Sequence, residues 1–314
     1  MGLLVDGQWQ DKWYDTKASE GRFEREDAGF RNWVIADGSA GPSGIGGFKA
    51  EANRYHLYVS LACPWAHRTT IYRKLKGLED MISLSIVHPF MGDKGWTFAE
   101  GTGVIADPIV KADYLYEVYI AAKPDYTGRV TVPILWDKET NTIVSNESSE
   151  IIRMFNSAFD EVGATTVSFL PAELLAEIDT VNEFVYSAVN NGVYKEAVVT
   201  LFDALDTLES RLVDQRYLLG DTITEADWRL FTTLVRFDAV YVGHFKCNIR
   251  RIVDYPNLWG YLRDLYQVPG IAETVSIEHI KAHYYTSHAN INPTRIIPVG
   301  PLLDFNEPHD RAHL

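Results

Sequence analysis

The alternation of hydrophobic and polar residues in the first half of the chain predicts strands on either side of a helix. Residues 55–60 are rich in β-forming side chains and residues 82–87 alternate between apolar and polar, so each stretch predicts a strand. Between them lies a predicted helix that begins near Pro64 and ends at Gly77. Residues 1 to about 50 show no such pattern and are expected to be irregular. The pattern therefore predicts a βαβ unit preceded by an irregular segment.

A second group of elements follows a long insertion over residues 88–128, which contains one predicted helix at about 113–123. Residues 130–136 and 142–144 predict a β-hairpin, and a helix over 148–159 completes the group. The order is strand, helix, strand and then strand, strand, helix. This order is that of a thioredoxin-like fold.

The rest of the chain shows only helical patterns. One predicted helix ends at Asn190-Asn191-Gly192, and the next runs from about Tyr194 to Val213 with leucines along one face. Thr224-Glu225-Ala226-Asp227 has the pattern of a helix capping box, with Asp in place of the usual Glu. Further helices are predicted from Pro256 and over 277–288, and an irregular tail follows them.

The chain length agrees with two domains. Its 314 residues are enough for two domains of roughly 100–200 residues each. We therefore expect an α/β, thioredoxin-like domain over residues 1–160 and an all-helical domain with an irregular tail over residues 161–314.

Charge and composition exclude several classes of partner. The formal net charge is −14, from 43 acidic and 29 basic residues, so neither nucleic acid nor an anionic membrane is an expected partner. The sequence has no run of roughly 18 apolar residues and its N-terminus does not have the pattern of a secretory signal. We therefore expect a soluble cytoplasmic protein. Since its two cysteines, Cys63 and Cys247, are far apart in sequence, we expect neither a disulfide framework nor a metal site.

Cys63 lies at the predicted strand-to-helix turn and is the strongest candidate for a catalytic residue. The unpaired N–H groups and the positive dipole end of a helix N-terminus stabilise a thiolate, which is the reactive form of cysteine. The alternative is a small buried apolar residue, as many cysteines are. In the motif Cys63-Pro64-Trp65-Ala66, alanine replaces the second cysteine of a dithiol pair. An external thiol must therefore release any mixed disulfide formed on Cys63, and glutathione is the obvious candidate.

Two further segments of the first domain could bind such a thiol. Val132-Pro133 lies where a thioredoxin-like fold has a cis-proline, whose backbone would face the peptide of a ligand. Glu147-Ser148 begins a predicted helix, where Ser148 and unpaired N–H groups can hold a carboxylate and Glu147 an ammonium group. The alternative for Glu147-Ser148 is a simple helix N-cap.

Together these segments resemble the glutathionyl-hydroquinone reductases, the Xi class of the glutathione transferase superfamily. The resemblance covers nearly the whole chain, and the order and spacing of its motifs are highly specific. Its motifs are Cys63-Pro64-Trp65-Ala66-His67-Arg68, Arg129 to Asp137, Thr142 to Glu150, Asn191 to Lys195, His283-Tyr284-Tyr285 and Asn292 to Pro298.

The resemblance implies a glutathione site in the thioredoxin-like domain. Trp96 would lie over the cysteinyl part of glutathione and Arg129 would pair with its glycine carboxylate. From the residue pattern alone, Trp96 could equally be a core aromatic residue. The residues that the resemblance assigns to glutathione binding are Trp96, Arg129, Val130, Thr131, Val132, Glu147 and Ser148.

The resemblance also implies an aromatic substrate site built from Tyr194, Tyr241 and Tyr284, with Tyr285 as an ambiguity beside Tyr284. Cys63 would attack the glutathione sulfur of an aryl thioether and release a hydroquinone. Tyr194 would take part in catalysis, because phenolic O–H groups can stabilise the ring oxygens and protonate the ring carbon. By the same resemblance, a homodimer is expected.

Three functions therefore remain to be separated. The first is a glutathione-dependent reductase of glutathionyl-hydroquinones, with glutathione as co-substrate and no metal. The second is a thiol transferase or dehydroascorbate reductase of the omega type, which would use the same Cys63. The third is a non-enzymatic glutathione-binding module, although binding alone needs no reactive thiol.

Overall fold

The computed structural model describes residues 2–12, 27–194 and 198–314. The chain forms two compact units, of which the first ends at Val167 and the second begins at Ser168. The first unit contains the strands of the described chain, and the second contains only helices. The predicted fold class is therefore confirmed, whereas the predicted domain boundary after residue 160 stays a prediction.

The first unit contains a four-stranded sheet with the strand order β4-β3-β6-β7. Its central strand β3 is parallel to β4 and antiparallel to β6, and every residue of β3 is buried. Helix α1 connects β3 to β4, and α3 follows β7 and packs against α1. This arrangement confirms the predicted βαβ unit and the hairpin after it. The elements are β1 (Leu3–Val5), β2 (Gln8–Gln10), β3 (Tyr55–Val59), α1 (Pro64–Leu75), β4 (Ser83–Ile86), α2 (Leu115–Ala122), β5 (Gly128–Arg129), β6 (Ile134–Asp137), β7 (Thr142–Ser145) and α3 (Ser148–Ser157).

The prediction that residues 1–50 are irregular was wrong at the N-terminus. Strands β1 and β2 form a hairpin, and β1 also pairs with β5. Asp6 and Gly7 connect the two strands and both have positive φ angles, 47° and 73°. An Asp-Gly pair with these angles is a typical two-residue hairpin turn. Residues 13–26 lie outside the described residues.

The predicted strand over 130–136 begins later than expected, because β6 starts at Ile134. Pro133 has no N–H group and cannot donate to a sheet ladder, which explains why the strand starts after it. The Val132-Pro133 peptide bond is cis, as predicted. Residues 130–133 therefore form a loop that leads into β6.

The secondary structure of the second unit consists of helices in its described part, as predicted, and residues 288–314 form the predicted irregular tail. Helix α4 continues into a π-helical turn, Val185–Asn190, and α6 continues into another, Phe237–Tyr241. The predicted helix start at Tyr194 was wrong, because Tyr194 ends a 3₁₀ turn that begins at Gly192. The α-helices are α4 (Leu175–Phe184), α5 (Val198–Arg211), α6 (Glu225–Arg236), α7 (Pro256–Tyr266) and α8 (Ile277–Ser287). None of the helices in the described ranges combines the length and apolar character needed to cross a membrane.

The predicted capping box fixes the start of α6. The carboxylate of Asp227 accepts hydrogen bonds from the Thr224 backbone N–H at 2.7 Å and the Thr224 hydroxyl at 2.9 Å. Its other oxygen accepts from the Leu218 N–H and the Tyr261 hydroxyl, both at 2.9 Å. Asp227 is fully buried. One side chain therefore joins the start of α6 to a preceding loop and to α7.

Replacing Asp227 with alanine should destabilise the protein strongly. The change removes the acceptor of four buried hydrogen bonds, so we expect the free energy of unfolding to fall by on the order of 3 kcal/mol. Denaturant unfolding followed by circular dichroism measures this difference. Asp221→Ala, which changes an exposed carboxylate nearby, is the matched control and should leave stability almost unchanged. Equal stability of the two variants would contradict this role for Asp227.

Candidate functional site

Cys63 is the N-cap residue of α1, as the strand-to-helix pattern predicted. Its backbone is extended, with φ −78° and ψ 122°, and Pro64 occupies the first helical position. The Cys63 N–H donates to the Ser60 carbonyl at 3.1 Å, and its own carbonyl accepts from the His67 N–H at 3.0 Å. The side chain is half-buried and belongs to no disulfide. The thiol is therefore accessible at the positive end of the α1 dipole.

The loop before β6 lies next to this thiol. The Sγ atom of Cys63 is 3.7 Å from the carbonyl oxygen of Val132. Val130 and Val132 are buried, whereas Thr131 between them is half-buried. The structure therefore brings Cys63 together with the 130–132 segment, as expected if both contact one ligand.

Glu147 and Ser148 lie at the start of α3. Glu147 is the N-cap residue, and its Oε1 accepts from the Ser149 N–H at 2.9 Å and the Ser149 hydroxyl at 2.8 Å. Ser148 is the first residue of the helix and is buried. Glu147 therefore caps the N-terminus of α3, as the alternative interpretation expected. Contact of Glu147 and Ser148 with glutathione stays a prediction.

Trp96 and Arg129 both lie in segments near the N-terminal hairpin of β1 and β2. The Trp96 side chain is buried, and its carbonyl accepts from the Leu115 N–H at 2.9 Å. Trp9 of β2 donates through its indole N–H to the Asp93 carbonyl at 2.9 Å, three residues before Trp96. Arg129 belongs to β5, which pairs with β1, and its guanidinium donates to the Lys12 carbonyl. The N-terminal segment therefore contacts the strand that contains Arg129 and the loop that precedes Trp96.

Tyr194, Tyr241 and Tyr284 come together in the second unit, and their hydroxyl groups form a triangle. The hydroxyl oxygens of Tyr194 and Tyr284 are 2.9 Å apart, and each of the other two pairs is 3.4 Å apart. The Tyr285 hydroxyl instead donates to the Ala239 carbonyl at 3.4 Å. We call the three residues the tyrosine cluster.

The three phenols differ in exposure. Tyr241 and Tyr284 are buried, and this burial together with the neighbouring Tyr194 phenol raises the pKa of both hydroxyls well above its usual value. Tyr194 is partly exposed. Both buried phenols therefore remain protonated at neutral pH and can donate hydrogen bonds to Tyr194.

The sequence did not predict several residues that lie beside the tyrosine cluster and beside the proposed glutathione-binding segments. The Phe245 ring centroid is 5.2 Å from that of Tyr194 and 5.7 Å from that of Tyr284. In the first unit, the Tyr119 hydroxyl lies 2.9 Å from the Thr131 carbonyl and 3.1 Å from the Asn146 amide nitrogen. No sequence spacing signals these contacts, although an aromatic residue beside a predicted tyrosine site is a weak hint for Phe245.

Cys247 has a different environment from Cys63. Its side chain is 1% exposed, and its Sγ is 3.6 Å from the Val193 carbonyl oxygen. Burial raises the pKa of the Cys247 thiol to about 12. Cys247 therefore remains a thiol at neutral pH. Among the described residues, no group of three His, Cys, Asp or Glu side chains could hold a metal ion.

Comparisons with known proteins agree with this fold and show the family. The model of the glutathione S-transferase N-terminal domain matches residues 62–158, and that of the C-terminal domain matches residues 191–264. The glutathionyl-hydroquinone reductase YqjG of Escherichia coli is 57% identical, over 99% of this chain and 98% of the relative. The glutathionyl-hydroquinone reductase PcpF of Sphingobium chlorophenolicum is 55% identical, over 96% of each.

Solved structures give the same result. The glutathione-bound structure of YqjG has a TM-score of 0.91 and 54% identity, covering 98% of both chains. A Xi-class glutathione transferase from Natrialba magadii has a TM-score of 0.93 and 51% identity, covering 100% of this chain and 98% of the other. The chain therefore belongs to the glutathione transferase family and, within it, to the Xi class of glutathionyl-hydroquinone reductases. The family predicted from the sequence is confirmed.

The two cysteines should differ sharply in reactivity. In the folded protein at neutral pH we expect iodoacetamide to modify Cys63 at least about 100-fold faster than Cys247, because only a thiolate reacts and Cys247 is buried and protonated. Peptide mass spectrometry measures both rates. Unfolding in guanidinium should make both residues reactive, and folded Cys63→Ser protein should take up almost no label. Comparable rates for the two cysteines in the folded protein would contradict this assignment.

Proposed function

We propose that this protein is a glutathione-dependent reductase that removes glutathione from glutathionyl-hydroquinones. The observation that carries the proposal is the half-buried Cys63 at the N-cap of α1, with Ala66 where a dithiol enzyme has its second cysteine. A lone thiol in this position can form a mixed disulfide but needs an external thiol to resolve it. The names of the relatives from E. coli and S. chlorophenolicum support the same substrate class here.

Glutathione would bind in the first unit beside Cys63. The backbone of Val132 would pair with the cysteinyl part of glutathione, since its carbonyl already faces the Cys63 sulfur at 3.7 Å. Ser148 and the first N–H groups of α3 would hold the γ-glutamyl carboxylate, and Glu147 would hold its ammonium group. Trp96, Arg129, Val130 and Thr131 would complete the site. The E. coli relative was solved with glutathione bound, which supports glutathione as the ligand.

The first half of the proposed reaction breaks the bond between sulfur and the aromatic ring. The Cys63 thiolate attacks the glutathione sulfur and forms the Cys63–glutathione disulfide. The electron pair of the broken carbon–sulfur bond stays on the ring carbon, which takes up a proton, and the hydroquinone is released. The ring carbon is thereby reduced, and the two sulfur atoms are oxidised.

The tyrosine cluster would supply this proton and bind the ring oxygens. Tyr194 is the partly exposed member, so we assign the proton transfer to it. Tyr241 and Tyr284 lie within 3.4 Å and 2.9 Å of its oxygen, so both can stabilise the phenolate that remains on Tyr194. Solvent then restores the proton.

The second half of the proposed reaction restores the enzyme. The thiolate of a second glutathione attacks the glutathione sulfur of the mixed disulfide, which gives oxidised glutathione and the Cys63 thiolate. The reaction needs reduced thiols, and we therefore propose that the protein acts in the cytoplasm. We also propose a homodimer, in line with the sequence resemblance, and neither nucleic acid nor membrane as a partner.

Removing the Cys63 thiol should abolish turnover. With a glutathionyl-hydroquinone and excess glutathione, we expect Cys63→Ser and Cys63→Ala to release hydroquinone at least about 1000-fold more slowly than the wild type, because no mixed disulfide can form. Liquid chromatography of hydroquinone and oxidised glutathione measures both products. Cys247→Ala is the matched thiol control and should retain turnover.

The same assay separates the other two functions. A wild type that leaves the thioether intact but reduces a glutathione mixed disulfide through Cys63 would be a thiol transferase of the omega type. A relative from Schizosaccharomyces pombe, 45% identical, has an omega-like name, which gives this outcome some support. A wild type that binds glutathione but turns over neither substrate would be a binding module.

Replacing Tyr194 with phenylalanine should slow only the reaction that needs a ring proton. We expect hydroquinone release to fall roughly 100-fold, because a general acid is lost. Reduction of a simple glutathione mixed disulfide should change little, since no carbon is protonated in that reaction. Tyr285→Phe is the control, because the Tyr285 hydroxyl donates to the Ala239 carbonyl and does not belong to the tyrosine cluster. An equal loss on both substrates would argue against proton transfer by Tyr194.

A further inference from the structure

The hydroxyl group of Tyr119 uses its full hydrogen-bonding capacity beside the proposed glutathione site. Tyr119 lies on α2 and is fully buried. Its O–H donates to the Thr131 carbonyl at 2.9 Å. Its oxygen accepts from the Thr131 N–H at 3.2 Å and from the Asn146 side-chain amide at 3.1 Å. A hydroxyl has one donor and two acceptor positions, so these three bonds are enough to occupy all of them. The Thr131 hydroxyl oxygen is a further, longer contact at 3.3 Å.

The two residues that Tyr119 contacts lie at two predicted ligand-binding segments: Thr131 belongs to the predicted glutathione-binding residues, and Asn146 precedes Glu147-Ser148. Thr131 comes directly before Val132, whose carbonyl lies beside the Cys63 sulfur. Asn146 comes directly before Glu147-Ser148 at the start of α3. Strands β6 and β7 are antiparallel, with Leu135 opposite Ser145, so the loop before β6 and the loop after β7 lie at the same end of the sheet. Tyr119 connects these two loops.

The orientation of Asn146 is fixed from its other side. Its Oδ1 accepts from the Phe30 N–H at 3.1 Å, and its backbone N–H donates to the Phe30 carbonyl at 3.2 Å. With its oxygen thus engaged, the amide nitrogen points to the Tyr119 oxygen. Burial also raises the pKa of Tyr119, so its hydroxyl keeps the proton that it donates to Thr131. The contacts of Tyr119 therefore have one consistent donor and acceptor pattern.

We propose that Tyr119 is a positioning residue for glutathione. Its hydroxyl holds the 131–132 segment, which would pair with the cysteinyl part of the peptide, in a fixed place relative to Glu147-Ser148, which would hold the γ-glutamyl end. The inference rests on the proposed function, since it takes glutathione as the ligand of these segments. The hydrogen bonds of Tyr119 go to Thr131 and Asn146, so its effect is on glutathione binding.

A second buried tyrosine provides a matched control. The Tyr55 hydroxyl donates to the Lys49 carbonyl at 2.6 Å, and the Tyr55 ring is as fully buried as that of Tyr119. Tyr55 begins β3, whereas Cys63 follows the other end of that strand. Tyr55→Phe and Tyr119→Phe therefore each remove one buried hydroxyl from the same unit, but only the second change lies beside the proposed site.

The test compares glutathione affinity and steady-state kinetics of the full-length variants. For Tyr119→Phe we expect the Kd for glutathione, from isothermal titration calorimetry, and the KM for glutathione to rise about tenfold. We expect kcat to change by less than about threefold, because the Cys63 N-cap geometry depends on Ser60 and His67. Asn146→Ala removes one of the three bonds and should give a smaller rise, and Tyr55→Phe should bind as the wild type does.

The outcomes separate this inference from the proposed function. Equal glutathione affinity of the wild type and Tyr119→Phe would overturn the positioning role alone. A fall in affinity that is as large for Tyr55→Phe would also overturn it, because the effect would then follow general stability. Absence of glutathione binding by the wild type would overturn both the proposed function and this inference.

Discussion

The chemistry of the first unit depends on the way that strand β3 passes into helix α1. Because every residue of β3 is buried between β4 and β6, the direction of the strand is fixed by the sheet. The chain then turns at Ser60 and starts α1 with Pro64, so Cys63 becomes the residue at the helix N-terminus. Neighbouring loops are arranged around this point: the loop before β6 brings the Val132 carbonyl to the sulfur, and α3 starts at the same end of the sheet. The buried strand β3 and the helix that follows it therefore position the thiol.

In the second unit the corresponding constraint is that the hydroxyl groups of the tyrosine cluster need hydrogen-bond partners. Three tyrosine hydroxyls lie within 3.4 Å of one another, so each has two phenol partners for hydrogen bonding. Two of these tyrosines follow or end irregular helical turns: Tyr194 closes a 3₁₀ turn after a π-helical one, and Tyr241 ends a π-helical turn that continues α6. Such turns rotate side chains away from the regular helical positions and are frequent at functional sites. The capping of α6 by Asp227 fixes the start of the helix that carries Tyr241.

Local patterns predicted the parts of the structure that depend on neighbouring residues. The position of Cys63, the β6–β7 hairpin and the α6 capping box all follow from signals within a few residues. The tyrosine cluster does not follow from local signals, because Tyr241 and Tyr284 lie 47 and 90 residues after Tyr194. Only the family resemblance identified its members. Tyr119 was missed for the same reason, since 27 residues separate it from Asn146. The N-terminal hairpin is a different case: Asp6-Gly7 is a local turn signal, but strands of three residues are too short to show alternation.

The pairing of β1 with β5 extends the sheet structure of the first unit beyond the segment that the N-terminal family model matches. The N-terminal family model starts at residue 62, yet Arg129 lies on a strand whose partner is Leu3–Val5, and the Arg129 guanidinium donates to the Lys12 carbonyl. A chimaera that exchanged only residues 62–158 with another class of transferase would carry a β5 that meets a foreign partner strand. Residues 2–12 and the segment 62–158 should therefore be exchanged together when domains of different transferase classes are combined.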